Sequence, residues 1–250
     1  MTFSHYFRSG GARTAIDTMS ACAPIDCGHE LVRLGGPVDG GYLVPNDLDG
    51  VLALFSPGVA ESSSFELEFA RRGTPCFLAD RSVPGPQLNH PLFHFTQKHL
   101  GTFNDSQTMR LDDWVDAHSP GSGDLVLQMD IEGAEYGVLS DCSDELIQRF
   151  RIIVIELHHC ARIVRPWCNQ PIITLLKRLT KSHAVVHLHA NNQAPPRRWL
   201  GMRLHPLLEF TFLRRDRLKG QGCAVSLPHE LDRANIPDKR EWALDPAWGA

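Results

Sequence analysis

Acids and imidazoles in this chain stand at the ends of apolar runs, where an uncompensated charge costs most. Asp130 closes the run Leu125-Val126-Leu127-Gln128-Met129. Glu156 and His158 close Arg151–Leu157, and His187 and His189 lie in Ala184–Ala190, just before Asn191-Asn192. A carboxylate without a partner in apolar surroundings costs on the order of several kcal/mol, so such residues are kept for pairing, ligation or catalysis. Residues two apart on a strand share a face, so Glu156 and His158 can project together, as can His187 and His189. Two chemistries fit. Asp130, Glu156 and one of these histidines would make a divalent metal site, because hard oxygen donors with one imidazole suit Mg, Mn or Fe better than structural zinc. The same groups also suit metal-free acid–base work, in which a carboxylate or histidine takes a hydroxyl proton. Residue types alone leave both open, and each histidine also has a plain reading as a structural hydrogen-bonder.

The elements that must position these groups begin with Val51–Ser56, a short strand ending in Pro57-Gly58. A polar stretch, Glu61-Ser62-Ser63-Ser64, leads into a helix with Phe65 and Phe69 on one face and Ser63 with Glu66 as a capping box. Gly73 ends that helix, and Thr74–Ala79 forms a second strand that stops at Asp80. Strand, turn, helix, strand and acid make a βαβ unit whose ligand lies at the carboxyl ends of its strands. Gly58 suits close approach of backbone to a ligand, and Asp80 suits two ribose hydroxyls. A dinucleotide is poorly served, since residues 56–61 contain no GxGxxG and Glu61 would repel phosphates.

Further strands are expected at Leu92–Phe95, Asp124–Asp130, Arg151–Leu157, Ala184–Ala190 and Leu207–Leu213. Helices are expected from Ile131 to about Phe150 and over Pro171–Leu179, with a short one at Leu111–Val115. Residues 81–91, 97–109 and 193–206 read as loops. The chain reads as one domain: an entry segment over 1–50 with a short helix near Ala12–Cys22, a core over 51–215, and a tail over 216–250 that wraps the surface. About seven strands, the last two joined by a loop, predict an α/β fold with a mostly parallel sheet whose final strand is antiparallel.

Composition narrows the function. The 250 residues are 42% hydrophobic and 22% charged, with a formal net charge of −4. That is a soluble globular profile and argues against non-specific nucleic-acid binding. Arg197, Arg198, Arg203, Arg214, Arg215 and Arg217 are the exception, a basic rim suited to an acidic or phosphorylated substrate. Seven cysteines without a CxxC pair fit neither a zinc knuckle nor a disulfide scaffold. With no apolar leader and no apolar run of membrane-spanning length, a cytoplasmic location away from membranes is expected. Nothing in the sequence speaks to oligomeric state.

Several stretches carry a family likeness. Asp130-Ile131-Glu132-Gly133-Ala134-Glu135-Tyr136 resembles the signature of the FkbM-like S-adenosylmethionine-dependent methyltransferases, as does Asp39-Gly40-Gly41-Tyr42. Phe55-Ser56-Pro57-Gly58-Val59 followed by Ser64-Phe65-Glu66 is similar to a further block, although Pro57 stands where that family commonly has glycine. Ile155–His158, His187–Asn192 and Leu208–Arg215 resemble later blocks. The resemblance implies a class I methyltransferase fold, a Rossmann-like three-layer sandwich on a seven-stranded sheet, with S-adenosyl-L-methionine as cofactor. It implies Gly58 and Val59 beside the methionine part, Asp80 on the ribose and Asp130 next to the methyl donor. Asp39, Tyr42, Ser56 and Glu66 join that cofactor-binding set. The implied reaction is O-methylation of a small-molecule hydroxyl, on a sugar or secondary metabolite. Asp130, Glu156 and His189 would surround the acceptor, with or without Mg or Mn, and His158 and His187 are second choices. A nicotinamide-dependent oxidoreductase and a non-catalytic binding module on the same fold are the competing readings.

Overall fold

The computed structural model describes residues 11–59, 62–119, 121–220 and 222–249. Helix α1 (Gly11–Ala21) precedes an antiparallel hairpin of β1 (Leu31–Leu34) and β2 (Tyr42–Pro45). Then follow β3 (Ala53–Pro57), α2 (Ser64–Arg71), β4 (Cys76–Ala79), β5 (Phe93–Thr96), and the short parallel pair β6 (His99–Gly101) and β7 (Thr108–Arg110). Helix α3 (Leu111–His118) leads into β8 (Leu125–Met129), α4 (Glu135–Asp141), α5 (Asp144–Arg149) and β9 (Phe150–Leu157). The last elements are α6 (Gln170–Ser182), β10 (His183–Ala190), the hairpin of β11 (Arg197–Trp199) and β12 (Met202–Leu204), and β13 (Leu208–Arg214).

The main sheet runs β5-β4-β3-β8-β9-β13-β10, and β13 is antiparallel to both of its neighbours. This is the seven-stranded, Rossmann-like class I methyltransferase arrangement. The chain winds outward from β3 to β4 and β5, then crosses back to β8. That reversal opens a crevice at the carboxyl ends of β3 and β8, the place where ligands bind in open α/β sheets. Both faces of the sheet are covered, and all eight residues of β9 are buried. Ile153, Ile155 and Leu157 join one apolar cluster with Trp114, Leu139 and Leu176, while Ile152 and Val154 join another with Val44, Phe65 and Phe69. By alternation Glu156 belongs to the second face, beneath the β1–β2 hairpin and α2.

Four local expectations are corrected. The helix expected from Ile131 to Phe150 is two helices, because Ser143 breaks it and caps α5 by accepting a hydrogen bond from Leu146 N at 3.2 Å. Ser63 and Glu66 form no capping box: the Ser63 hydroxyl accepts from Leu88 N, and Glu66 turns into the core. Residues 97–109 and 193–206, read as loops, contain the three-residue strands β6, β7, β11 and β12, too short to show a period. The tail does more than wrap the surface, since Leu244 and Trp248 are buried and the Trp248 ring packs edge-on against Phe210 at 5.7 Å. All seven cysteines are free, and no helix among the described residues is long and apolar enough to cross a membrane.

At the opposite end of the sheet from the crevice, buried Arg151 ties the entry segment to the core. Its Nε donates to Asp124 Oδ2 at 2.7 Å and its Nη1 donates to Asp47 O and Asp49 O at 2.9 and 2.7 Å. Burial works against ionisation of Asp47, but Arg217 and Arg151 outweigh it and hold the carboxyl below its usual range. Asp124 is held down in the same way by Arg214 and Arg151. Arg151→Met leaves two carbonyls and a carboxylate without their donor, and should cost about 3–5 kcal/mol in urea unfolding at pH 7. Because both carboxyls are depressed, their contribution is present above the ordinary carboxylate pKa and lost as pH falls through the folded value. Acid destabilisation should therefore be shallower in Arg151→Met than in the wild type.

Candidate active site

The crevice is built from two loops that touch. After β3, Gly58 adopts φ +89° and donates its N–H to Ala79 O at 2.8 Å. Asp130 N donates to Pro57 O at 3.3 Å, and a Cβ on Gly58 would fall 1.6 Å from Asp130 O. Only glycine permits that approach. After β8, Glu132 (φ 59°) and Gly133 (φ 103°) are both left-handed. Glu135, on the first turn of α4 and fully buried, folds back and accepts from Ile131 N and Gly133 N, each at 3.0 Å.

Two cavities meet at this junction, sharing Gly58, Asp130 and Glu132. One, of about 370 Å³, is also lined by Asp80, Lys98 and Leu100. The other, of about 600 Å³, is also lined by Asp39, Tyr42, Glu66 and Gln128, with Val59 beside them. Asp80 sits just past β4, where its Oδ1 accepts from Ser82 N at 2.7 Å and Ser82 Oγ at 2.6 Å. Among the described residues no lysine or arginine lines the larger cavity, while three of its acids belong to the loops just named or to Asp39. Such walls suit a cationic ligand and repel a pyrophosphate. Glu61, expected to add to that repulsion, lies outside the described residues.

A chain of buried polar groups underlies the larger cavity. Ser56 Oγ is hydrogen-bonded to Glu66 Oε1 and to Gln128 Oε1, the latter at 2.6 Å, and Gln128 Nε2 donates to the Tyr42 hydroxyl at 3.4 Å. One serine proton cannot serve two acceptors. Burial raises the Glu66 carboxyl to about 7, so a protonated Glu66 donates to Ser56, which donates to Gln128. Tyr42 is held neutral by burial and by the charges of Glu209, Asp130, Glu156 and Asp39, which marks it as the face of an acid cluster.

That cluster spans three strands and the loop after β8. Glu156 on β9 is in register with Glu209 on β13, which is in register with His189 on β10. His189 Nδ1 lies 3.1 Å from Glu209 Oε2, and Asn191 Nδ2 donates to Glu156 Oε2 at 3.1 Å. His158 Nδ1 lies 3.1 Å from Glu135 Oε1, which leaves Nε2 facing Glu132 Oε2 at 3.3 Å and Asp130 Oδ1 and Glu156 Oε1 at 3.9 Å each. Among the described residues the groups able to hold a cation are Asp130, Glu156 and His158, and Asp39, Glu156 and Glu209. Of the expected set Asp130, Glu156 and His189, the first two come together and His189 stands apart: β13 lies between β9 and β10, so Glu209 stands between Glu156 and His189. His187 Nε2 instead lies 2.9 Å from Asp232 Oδ1 of the tail.

The electrostatics follow from this crowding. Burial, then Glu209 and Asp130, push Glu156 up; burial, with Glu132, Glu135 and Asp39, pushes Asp130 up against the opposing pull of His158. Burial would lower His158, but the hydrogen bond and charge of Glu135 raise it, and Glu209 raises His189 in the same manner.

The family model described as Methyltransferase FkbM domain matches residues 73–180. Over that stretch, 108 of the 250 residues, the chain is similar to an FkbM methyltransferase domain. The match classes it as an S-adenosylmethionine-dependent methyltransferase, an enzyme. No curated protein matches the chain. The matched span runs from the approach to β4 through most of α6, and so holds Asp80, the loop from Asp130 to Glu135, Glu156 and His158.

In this stretch and its flanks, four groups at the site escape a reading of strand ends. Glu135 was visible inside the signature stretch, but its inward fold was not. Gln128 and Glu209 are single polar residues within apolar strands, and Asn235 reaches in from the tail to donate to Asp39 Oδ1 at 2.8 Å and to Glu209 Oε1. The Glu66 shift gives a test of the polar chain. A carboxyl raised in the folded state contributes stability below its unfolded pKa and loses it as pH rises through about 7. The loss should approach about 3 kcal/mol above pH 8. Urea unfolding at pH 6 and pH 8.5 should show the last part of it, about 1.4 kcal/mol, in the wild type, and Glu66→Gln should remove most of that difference.

Proposed function

We propose that the protein methylates a hydroxyl oxygen of a small molecule such as a sugar or secondary metabolite, with His158 as the base and Glu135 as its orienting partner. The observation that carries this is the His158 ring. Its Nδ1 is hydrogen-bonded to buried Glu135, which in the neutral ring places the proton on Nδ1, and Nε2 faces Glu132 Oε2 at 3.3 Å and Asp130 Oδ1 at 3.9 Å, two acids that line both cavities. S-adenosylmethionine, when bound, supplies an electrophilic methyl on a sulfonium centre. Asp80 would accept from its ribose hydroxyls, the Gly58 backbone would let it pass close to Asp130, and the acidic wall of Asp39, Asp130 and Glu132 would favour its two positive charges. His158 Nε2 takes the proton of the acceptor hydroxyl, which is a weak nucleophile until it is lost, and the carboxylates around the ring stabilise the imidazolium that results.

A second reading makes the same ring a metal ligand. A histidine oriented by a carboxylate on its other nitrogen is the usual arrangement around bound metals. Asp130, Glu156 and His158 would then hold Mg or Mn, whose charge would offset the crowded carboxylates and acidify the acceptor hydroxyl.

Calorimetric titration should show S-adenosylhomocysteine binding and no binding of NADH; the reverse would return the oxidoreductase reading. Asp80→Ala should weaken S-adenosylhomocysteine at least tenfold. His158→Gln should leave that affinity unchanged and lower kcat by about 10²–10⁴ in an S-adenosylhomocysteine-release assay on hydroxylated sugars and metabolites. Full activity after exhaustive chelation supports the base, and loss restored by Mn²⁺ supports the ligand. Binding of S-adenosylhomocysteine without turnover of any acceptor would support the binding-module reading.

A further inference from the structure

The donor side of the crevice is acidic, yet its β9 side carries arginines that nothing in the fold uses. His159, the residue after the proposed base, is left-handed (φ 62°) and starts a 3-10 turn over Cys160–Val164. Its ring lies over the loop after β8, close enough that a Cβ on Gly133 would sit 3.4 Å from His159 Nε2. The His158 and His159 ring centroids are 6.3 Å apart. Arg162 lies on this turn and its N–H bonds back to His159 O at 2.9 Å. The turn is stitched to the second hairpin, since Cys160 N donates to Pro206 O at 2.9 Å. On that hairpin exposed Arg197 is in register with Leu204, two residues before Pro206. Arg198 is in register with Arg203 on the other face.

Arg162 and Arg197 are exposed and have no acid or carbonyl partner for their guanidiniums among the described residues. Other arginines are committed: Arg110 to Asp141, Arg151 to Asp124, Arg178 to Asp144, Arg214 to Asp216 and Arg217 to Asp47. Arg162 is three residues after His159 in the same turn, and Arg197 is on the hairpin joined to that turn. Burial first, then Arg162, His158 and Arg197, hold the His159 imidazole below the usual value against the pull of Glu135. In a chain with a formal charge of −4, two unpaired guanidiniums and an imidazole beside the reaction centre are an anion site in waiting.

We infer that Arg162 and Arg197, with His159 between them, hold a phosphate group of the acceptor, so that the substrate class is a phosphate-bearing molecule whose hydroxyl reaches His158 about one ring away. This rests on the methyl-transfer reading for the word acceptor, while the anion site itself does not. Arginine forks match phosphate oxygens in pairs, and a fixed anion on the β9 side orients the hydroxyl toward the donor on the β3 side.

The test is calorimetric titration of the full chain with pyrophosphate at 150 mM salt, with S-adenosylhomocysteine present. The wild type should bind pyrophosphate, Arg162→Gln/Arg197→Gln should bind it at least tenfold more weakly, and Arg162→Lys/Arg197→Lys should fall between. Arg71→Gln/Arg72→Gln, which removes two exposed arginines of α2, should match the wild type. Absence of wild-type binding, or equal weakening in the α2 control, overturns the inference. The affinity for S-adenosylhomocysteine should be the same in all four proteins. If the wild type fails to bind it while pyrophosphate still depends on Arg162 and Arg197, the methyl-transfer reading falls and the anion site stands.

Discussion

The carboxylate of Glu135 is the constraint on which the site depends. It is fully buried, where an ionised carboxyl would be expensive without partners. Two backbone N–H groups and the His158 imidazole supply them, and those contacts overcome the effect of burial and keep its pKa below the ordinary range. The same three bonds do the structural work of the crevice. They hold the backbone of Ile131 and Gly133 around one oxygen, which fixes the left-handed pair Glu132 and Gly133 and points Asp130 into the cavities. They also settle which nitrogen of His158 faces the carboxylates. One side chain therefore shapes the loop, aims the acid and orients the ring.

The price of this arrangement is crowding of like charge. Asp39, Asp130, Glu156 and Glu209 approach one another with amides and histidines between them, and no lysine or arginine of the larger cavity neutralises them. Asn191 and Asn235 spread the load by donating to Glu156 and Glu209, and a raised pKa lets Glu156 and Asp130 carry protons part of the time. A fold selected for stability alone would have placed apolar groups there, as it did along the rest of β9 and β13. Clusters of this kind persist where a site needs the field they make, and a cationic donor is what that field favours.

Much of this was readable in the sequence, for a physical reason. A charged residue that ends an apolar run stands out because the run must be buried, and so Asp80, Asp130 and Glu156 were found at strand ends. Seven strands and the antiparallel last one followed from the missing helix before Leu208. The positions of strands beside one another did not follow from their order in the chain. Without knowing that β13 inserts between β9 and β10, His189 looked like the partner of Glu156, and Glu209 was not singled out. His158 stood second to His189, since its orienting carboxylate, Glu135, is on a helix start, where an acid is already favourable in the first turn.

The tail shows the same limit in another form. Asn191 and Asn192 are adjacent at the end of β10, and they face different tasks. Asn191 turns inward to Glu156 and also caps its own loop by accepting from Gln193 N at 2.8 Å. Asn192 turns to the tail, donating to Ile236 O at 2.9 Å and Lys239 O at 3.2 Å and accepting from Ile236 N at 2.9 Å. That clasp is what carries Asn235 onto Asp39 and Glu209. The contact joins residues 196 apart in the chain through a segment with no period, so composition and spacing hold no trace of it. A pair of amides at a strand end thus serves the acid cluster twice, once directly and once by holding a distant asparagine against it.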